Sequence, residues 1–190
     1  MKKIIEVRWH GRGGQGAVTA SKLLATSAMA EGKHIQAFPE YGPERMGAPI
    51  QAFTRISGEP IRIHCHVTNP DMVVVLDPTL IGPVDITEGL SEEGTIVVNT
   101  NESPAQIRQK LNLKGRSIFT IDASKIAQEE LGRPLPNTPM MGALIKATGL
   151  LKLGNVIDDI KEQFAGRFAD KIIEGNVKAI ERAFQEVKSE

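Results

Sequence analysis

A three-layer α/β/α fold, with helices on both faces of a mixed sheet, is what this sequence predicts, on three observations. Short apolar runs of strand length alternate with helical patterns. Gly58-Glu59-Pro60 reads as a hairpin turn between runs at 50–57 and 61–66, which puts an antiparallel part into the sheet. An apolar strand at 4–9 also runs straight into Gly11-Arg12-Gly13-Gly14-Gln15-Gly16, which opens a helix over 17–31. The length of 190 residues suits one domain, 1–190, and 41% apolar residues suffice for a sizeable core.

In the first strand Ile5, Val7 and Trp9 share one face, while Glu6, Arg8 and His10 share the other, so that face is polar or lines a site. The first helix is rich in small residues (Ala17, Ala20, Ser21, Ala25, Ala28) that permit close approach to the sheet, and Gly32 is placed to cap it. Residues 34–38 make a second strand. The stretch PEYGPERMGAP, 39–49, holds three prolines and two glycines and is read as a long loop. Residues 72–76, 95–98 and 117–121 are strands buried on both faces, with helices over Pro104–Leu111 and Ala123–Leu131 between and after them. Beyond Pro139 the chain is expected to be helical to its end. There Ile173, Val177, Ile180, Phe184 and Val187 form one apolar stripe.

Composition excludes several classes. No run of 18 apolar residues exists, so no membrane span is expected, and the N-terminus lacks a signal-peptide core. Lys plus Arg equals Asp plus Glu, 23 each, which argues against nucleic acid as a partner held by bulk charge. Cys65 is the sole cysteine, which fits a reducing cytoplasm and cannot hold an iron–sulfur cluster of four thiolates.

Gly11, Gly13 and Gly16 fit G-x-G-x-x-G in a strand–turn–helix context, the Rossmann-like arrangement in which peptide N–H groups approach a phosphate at a helix N-terminus. The alternative is that the glycines serve turn geometry alone. The strand ends carry His10, Asp77, Asn99 and Asp122, read either as a polar rim around a ligand or, for the aspartates, as helix caps. Glu40 lies inside the long loop rather than at the strand end, which weakens a reading as an NAD enzyme. Gly16 is followed by Ala17-Val18, not Lys-Ser/Thr, so a Walker loop is excluded, and no G-x-S-x-G accompanies His10-Gly11. His64 and His66 would share a strand face, but nothing supplies an evident third metal ligand. In the 39–49 loop, Arg45 is a candidate for bidentate contact with a phosphate or carboxylate.

WHGRGGQG and AFPEYGPERMGAP together, with Asn69-Pro70-Asp71 leading to VVVLDPTL and with NTPMMGA at 137–143, resemble the gamma subunit of the 2-oxoacid:ferredoxin oxidoreductases over most of the chain. The loop looks most like the pyruvate or branched-chain (2-ketoisovalerate) members, rather than the small subunit of an indolepyruvate:ferredoxin oxidoreductase. The resemblance implies a complex in which thiamine diphosphate sits on alpha and beta subunits, and iron–sulfur clusters on other subunits such as a delta chain, with ferredoxin as acceptor. It implies that this chain is a structural partner, inactive alone and binding no cofactor by itself, and a candidate for contacting coenzyme A. Gly11, Arg12, Gly13, Gly14, Gln15 and Gly16 would then cradle the coenzyme's phosphates, with Arg12 and Arg45 as charge partners. A free-standing nucleotide-binding module, or a purely structural subunit whose glycines only pack, are the other readings.

Overall fold

The computed structural model describes residues 4–40 and 47–190. Tyr41 and Arg45, with most of the 39–49 loop, lie outside the described residues. Seven strands form one mixed sheet: β1 (Ile4–Arg12), β2 (His34–Pro39), β3 (Pro49–Ser57), β4 (Met72–Val75), β5 (Thr95–Asn99), β6 (Ser117–Ile121) and β7 (Lys188–Ser189). Their order is β2-β3-β1-β4-β5-β6-β7. β1, β4, β5 and β6 run parallel, and β3 pairs antiparallel with both β1 and β2. The sheet is mixed as predicted, but the antiparallel part arises differently. Residues 61–66 are not a strand and no 58–60 hairpin forms. Both edges of β3 are already occupied, by β1 and β2, so no ladder remains for a hairpin partner. The 61–66 segment instead crosses the sheet face, held by the Arg55 guanidinium, which donates to the carbonyls of Cys65 (2.8 Å) and His66 (3.3 Å).

One face of the sheet is covered by α1 (Ala17–Ala30), α3 (Ala123–Leu131), α4 (Asn137–Thr148), α5 (Leu153–Phe164) and α6 (Asp170–Glu186). Val7, Trp9, Val74 and Val97 point into this core. The small residues of α1 lie against the sheet as expected, and Gly32 closes the helix at φ 76°. The Gly32 and Lys33 N–H groups donate to the carbonyls of Met29 and Ala28, a Schellman closure. The opposite core is smaller: Val73, Val75, Ile96, Val98 and Ile118 pack under α2 (Pro104–Leu111) and the 81–90 segment.

The C-terminal third departs from continuous helix. Gly149 (φ 63°) and Gly166 (φ 72°) lie in the two breaks between α4, α5 and α6, and the chain returns to the sheet as β7, antiparallel to β6. On α6 the buried face is Gly175, Asn176, Ala179, Ile180 and Ala183. Ile173, Val177 and Phe184 flank it half-buried, and Val187 falls just past the helix end.

Candidate functional site

β1 extends through Gly11 and Arg12 before the chain turns into α1, so the glycine segment is a tight strand–helix junction. Gly11 is there for packing, since a Cβ would sit 3.3 Å from the Ala17 methyl. Gly16 ends the turn at φ 81°, and a Cβ on it would press on the Asn137 side chain at 3.0–3.2 Å. Gly14 is different. It has φ 96° and open space where a Cβ would stand. Within the turn, the Arg12 N–H donates to Gln15 Oε1 (2.7 Å) and the Gly13 N–H to the Ala48 carbonyl (3.1 Å).

The junction has two sides. On one, Arg12 and Gln15 converge on Asp77. Asp77 Oδ2 accepts from Gln15 Nε2 (2.7 Å) and Arg12 Nε (3.1 Å), and its Oδ1 accepts from the Thr79 hydroxyl (2.7 Å) and N–H (2.9 Å). Arg12 also donates to the Gly47 carbonyl (3.1 Å) and the Thr79 hydroxyl (2.9 Å). Burial alone would push the Asp77 carboxyl up. The hydrogen bonds from Thr79 and Gln15, with the Arg12 charge, outweigh it and hold the group below the usual range. Asp77 therefore caps the Pro78–Leu80 3-10 turn and locks the glycine turn at the same time.

The other strand-end residues are also engaged internally. Asn99 donates to the Leu76 carbonyl (2.7 Å) and the Ser124 hydroxyl (2.8 Å), and Asp122 caps α3 through the Lys125 N–H (3.1 Å). His10 is buried, and its Nε2 accepts from Arg8 Nε at 3.0 Å. Burial, then the Arg8 charge, pull its pKa down to about 3 against the opposing field of Asp85, so the ring is neutral. These residues form a structural layer rather than a rim open to a ligand. His64, Cys65 and His66 line a hollow of about 390 Å³ with Phe38 and Arg55, and no group of three or more metal-ligating side chains occurs among the described residues.

On its second side the junction opens onto a cleft of about 440 Å³, lined by Gly14, Gly16 and the first turns of α1 and α4. Lys22, Arg133 and Arg167 line it too, and no Asp or Glu does. Sequence reasoning missed these cations because they come from α1, the α3–α4 connection and the α5–α6 turn. No local sequence signal singles them out; NTPMMGA, quoted for the resemblance, supplies only Asn137, which begins α4 against Gly16. A donor set of cations and helix N-termini favours an anion.

Similarity to known proteins bears on this geometry. The family model described as pyruvate ferredoxin/flavodoxin oxidoreductase matches residues 6–186. The chain is 49% identical to the pyruvate/ketoisovalerate oxidoreductases common subunit gamma of Pyrococcus abyssi, covering 97% of this chain and 98% of that one. The crystal structure of pyruvate oxidoreductase subunit PORC from Thermotoga maritima superposes with a TM-score of 0.88 at 46% identity over 99% of both chains. The 2-oxoglutarate:ferredoxin oxidoreductase from Magnetococcus marinus, solved with coenzyme A bound, shares the fold at 18% identity and a TM-score of 0.77, over 96% of this chain and 31% of that longer one. With relatives matched end to end at this identity, the chain belongs to the pyruvate ferredoxin/flavodoxin oxidoreductase family, as a gamma-type subunit.

Proposed function

We propose that residues 1–190 act as one gamma domain of a cytoplasmic complex. That complex oxidatively decarboxylates pyruvate or 2-ketoisovalerate to the acyl-coenzyme A, with ferredoxin as acceptor. The observation that carries this is the two-way match, 97% against 98%, to a subunit named for those two oxoacids. Thiamine diphosphate and the clusters belong to alpha, beta and delta partner subunits on this reading, because one cysteine in 190 residues cannot supply a cluster's thiolates. Purified alone, the chain is expected to be colourless and to oxidise no 2-oxoacid. Co-expressed with the thiamine- and cluster-bearing chains, it is expected to co-elute with them. A chain that elutes apart while they reduce ferredoxin without it overturns the reading.

Within the complex, the glycine turn Gly11–Gly16, with Arg45, is the proposed contact for coenzyme A. Arg12 is already held by Asp77, so its part is to fix the turn. The Gly13 and Gln15 N–H groups are held by the Ala48 and Arg12 carbonyls, so the N–H groups of Gly14 and Gly16 are the ones proposed to face the phosphates. Gly14→Val puts a side chain into open space that a ligand would use. It is expected to raise the KM for coenzyme A in ferredoxin reduction, with coenzyme A-independent decarboxylation less affected. An unchanged KM in a normally assembled complex sinks the cradle.

A further inference from the structure

We infer that the open sheet edge at β2 is where two copies of this chain join, β2 pairing antiparallel with β2 of the second copy about a two-fold axis at Gln36. The inference adds a self-contact to the subunit role and does not depend on the coenzyme site.

The two ends of the sheet differ. At one end the edge strand is β7, two residues long and carrying Lys188, a short charged edge of the kind that resists further pairing. At the other it is β2, six residues, HIQAFP, without an Asp, Glu, Lys or Arg. The Glu40 N–H donates to the Gln51 carbonyl (3.0 Å) in continuation of the β2–β3 register. His34, Gln36 and Phe38 therefore turn their backbone groups to β3, while Ile35, Ala37 and Pro39 turn theirs outward. The Ile35 and Ala37 N–H groups have no partner among the described residues. Pro39 has no N–H to give, which ends the open ladder beyond Ala37.

That edge is complementary to itself. With Gln36 facing Gln36 of the second copy, the Ile35 N–H meets the second copy's Ala37 carbonyl, and the Ala37 N–H meets its Ile35 carbonyl. The two-fold repeats both bonds, so every open donor of β2 is used. Ile35 then stands opposite Ala37, and Phe38 opposite His34, so no like charges meet and a ring faces a ring. The axis also falls beside an exposed apolar side chain. Gln36 Nε2 donates to the Ile63 carbonyl (2.9 Å), which places Ile63 next to the axis, and Ile63 is 38% exposed. The two-fold brings it toward its own copy. An edge without charge offers nothing by which a charged partner strand is selected, whereas a second copy satisfies each open group. Such a pair also closes, because each copy's edge is consumed by the other.

The test measures self-association of the full chain by sedimentation equilibrium, with Trp9 fluorescence as the check on folding. The wild type is expected to dimerise reversibly. Ala37→Pro removes an outward N–H that β3 does not use and is expected to weaken the dimer about thirtyfold, the worth of its two symmetry-related hydrogen bonds. Ile63→Glu changes an exposed position, sets two carboxylates across the axis and should weaken the dimer about tenfold. Ile172→Glu alters an equally exposed apolar residue on α6 and should leave the dimer unchanged. A monomeric wild type overturns the pairing, as does a dimer that survives Ile63→Glu and a folded Ala37→Pro. If the wild type is monomeric alone while Ala37→Pro blocks co-elution with the other subunits, the edge takes a strand from one of them: the self-pairing is wrong and the subunit role stands.

Discussion

His10 and Asp77 respond to acid by different routes. An unfolded histidine takes up its proton near 6.5, whereas folded His10 does so only near pH 3. Between those values the unfolded chain binds the extra proton. Stability from this residue is therefore full above about pH 6.5 and falls toward pH 3 by up to about 1.4 kcal/mol per unit. Denaturant unfolding is expected to show about 2 kcal/mol less stability at pH 5 than at pH 7 from this source, and His10→Gln, which keeps an acceptor for Arg8, should flatten that slope. Asp77 has a lowered folded pKa, so its contribution is present above the unfolded value and is lost only as pH falls below about 4. Asp77→Ala should cost about 1–3 kcal/mol at neutral pH, because it orphans donors from Gln15, Thr79 and Arg12, and the cost should shrink in acid.

Contacts between elements depend on backbones in close approach. α4 crosses α6 where a methyl on Gly142 would strike the Ile180 carbonyl. Glycine in a helix normally costs about 1 kcal/mol against alanine, so propensity alone says that Gly142→Ala stabilises. Overpacking reverses the sign: the variant is expected to lose about 2 kcal/mol in thermal or denaturant unfolding. Gly175 of α6 approaches the Glu130 carbonyl in the same manner, which ties α3 to the same helix. At α2, Ser103 and Gln106 close a capping box, and Ser103→Ala should cost about 1 kcal/mol.

At the scale of the molecule, one tryptophan reports on the larger core. Trp9 is fully buried, and its indole N–H donates to the Thr54 hydroxyl (3.1 Å), which donates in turn to the Ser21 carbonyl (2.9 Å). That chain links β1, β3 and α1. Trp9 fluorescence and far-ultraviolet circular dichroism are expected to give one coincident unfolding transition. Separate midpoints would show that the β2-β3-β1 side and the β4-β5-β6 side unfold independently. In the assembled enzyme the subunit is expected to bury a large interface, of about 2,000 Å² or more in total. The 39–49 loop is its expected place, and protection of that loop from proteolysis on assembly is the measurement.

Much of this was legible in the sequence. Apolar runs located β4, β5 and β6, Asp122 preceded its helix, and Gly32 closed α1, because each signal is local. The glycine turn was legible for the same reason. What the sequence by itself determined, then, was the α/β class, the strand–turn–helix junction and, through motifs at fixed spacing, the family. Tertiary structure alone decided which strands paired. Residues 61–66 have strand composition, but both edges of β3 were taken and Arg55 drew their carbonyls onto the sheet face. It also decided what each charge does. Arg12 became a strut because Asp77, 65 residues away, lies beside it, while Lys22, Arg133 and Arg167 became neighbours only when α1, α4 and the α5–α6 turn closed around one cleft. Pairing of distant charges depends on how elements pack, and no local pattern encodes that distance.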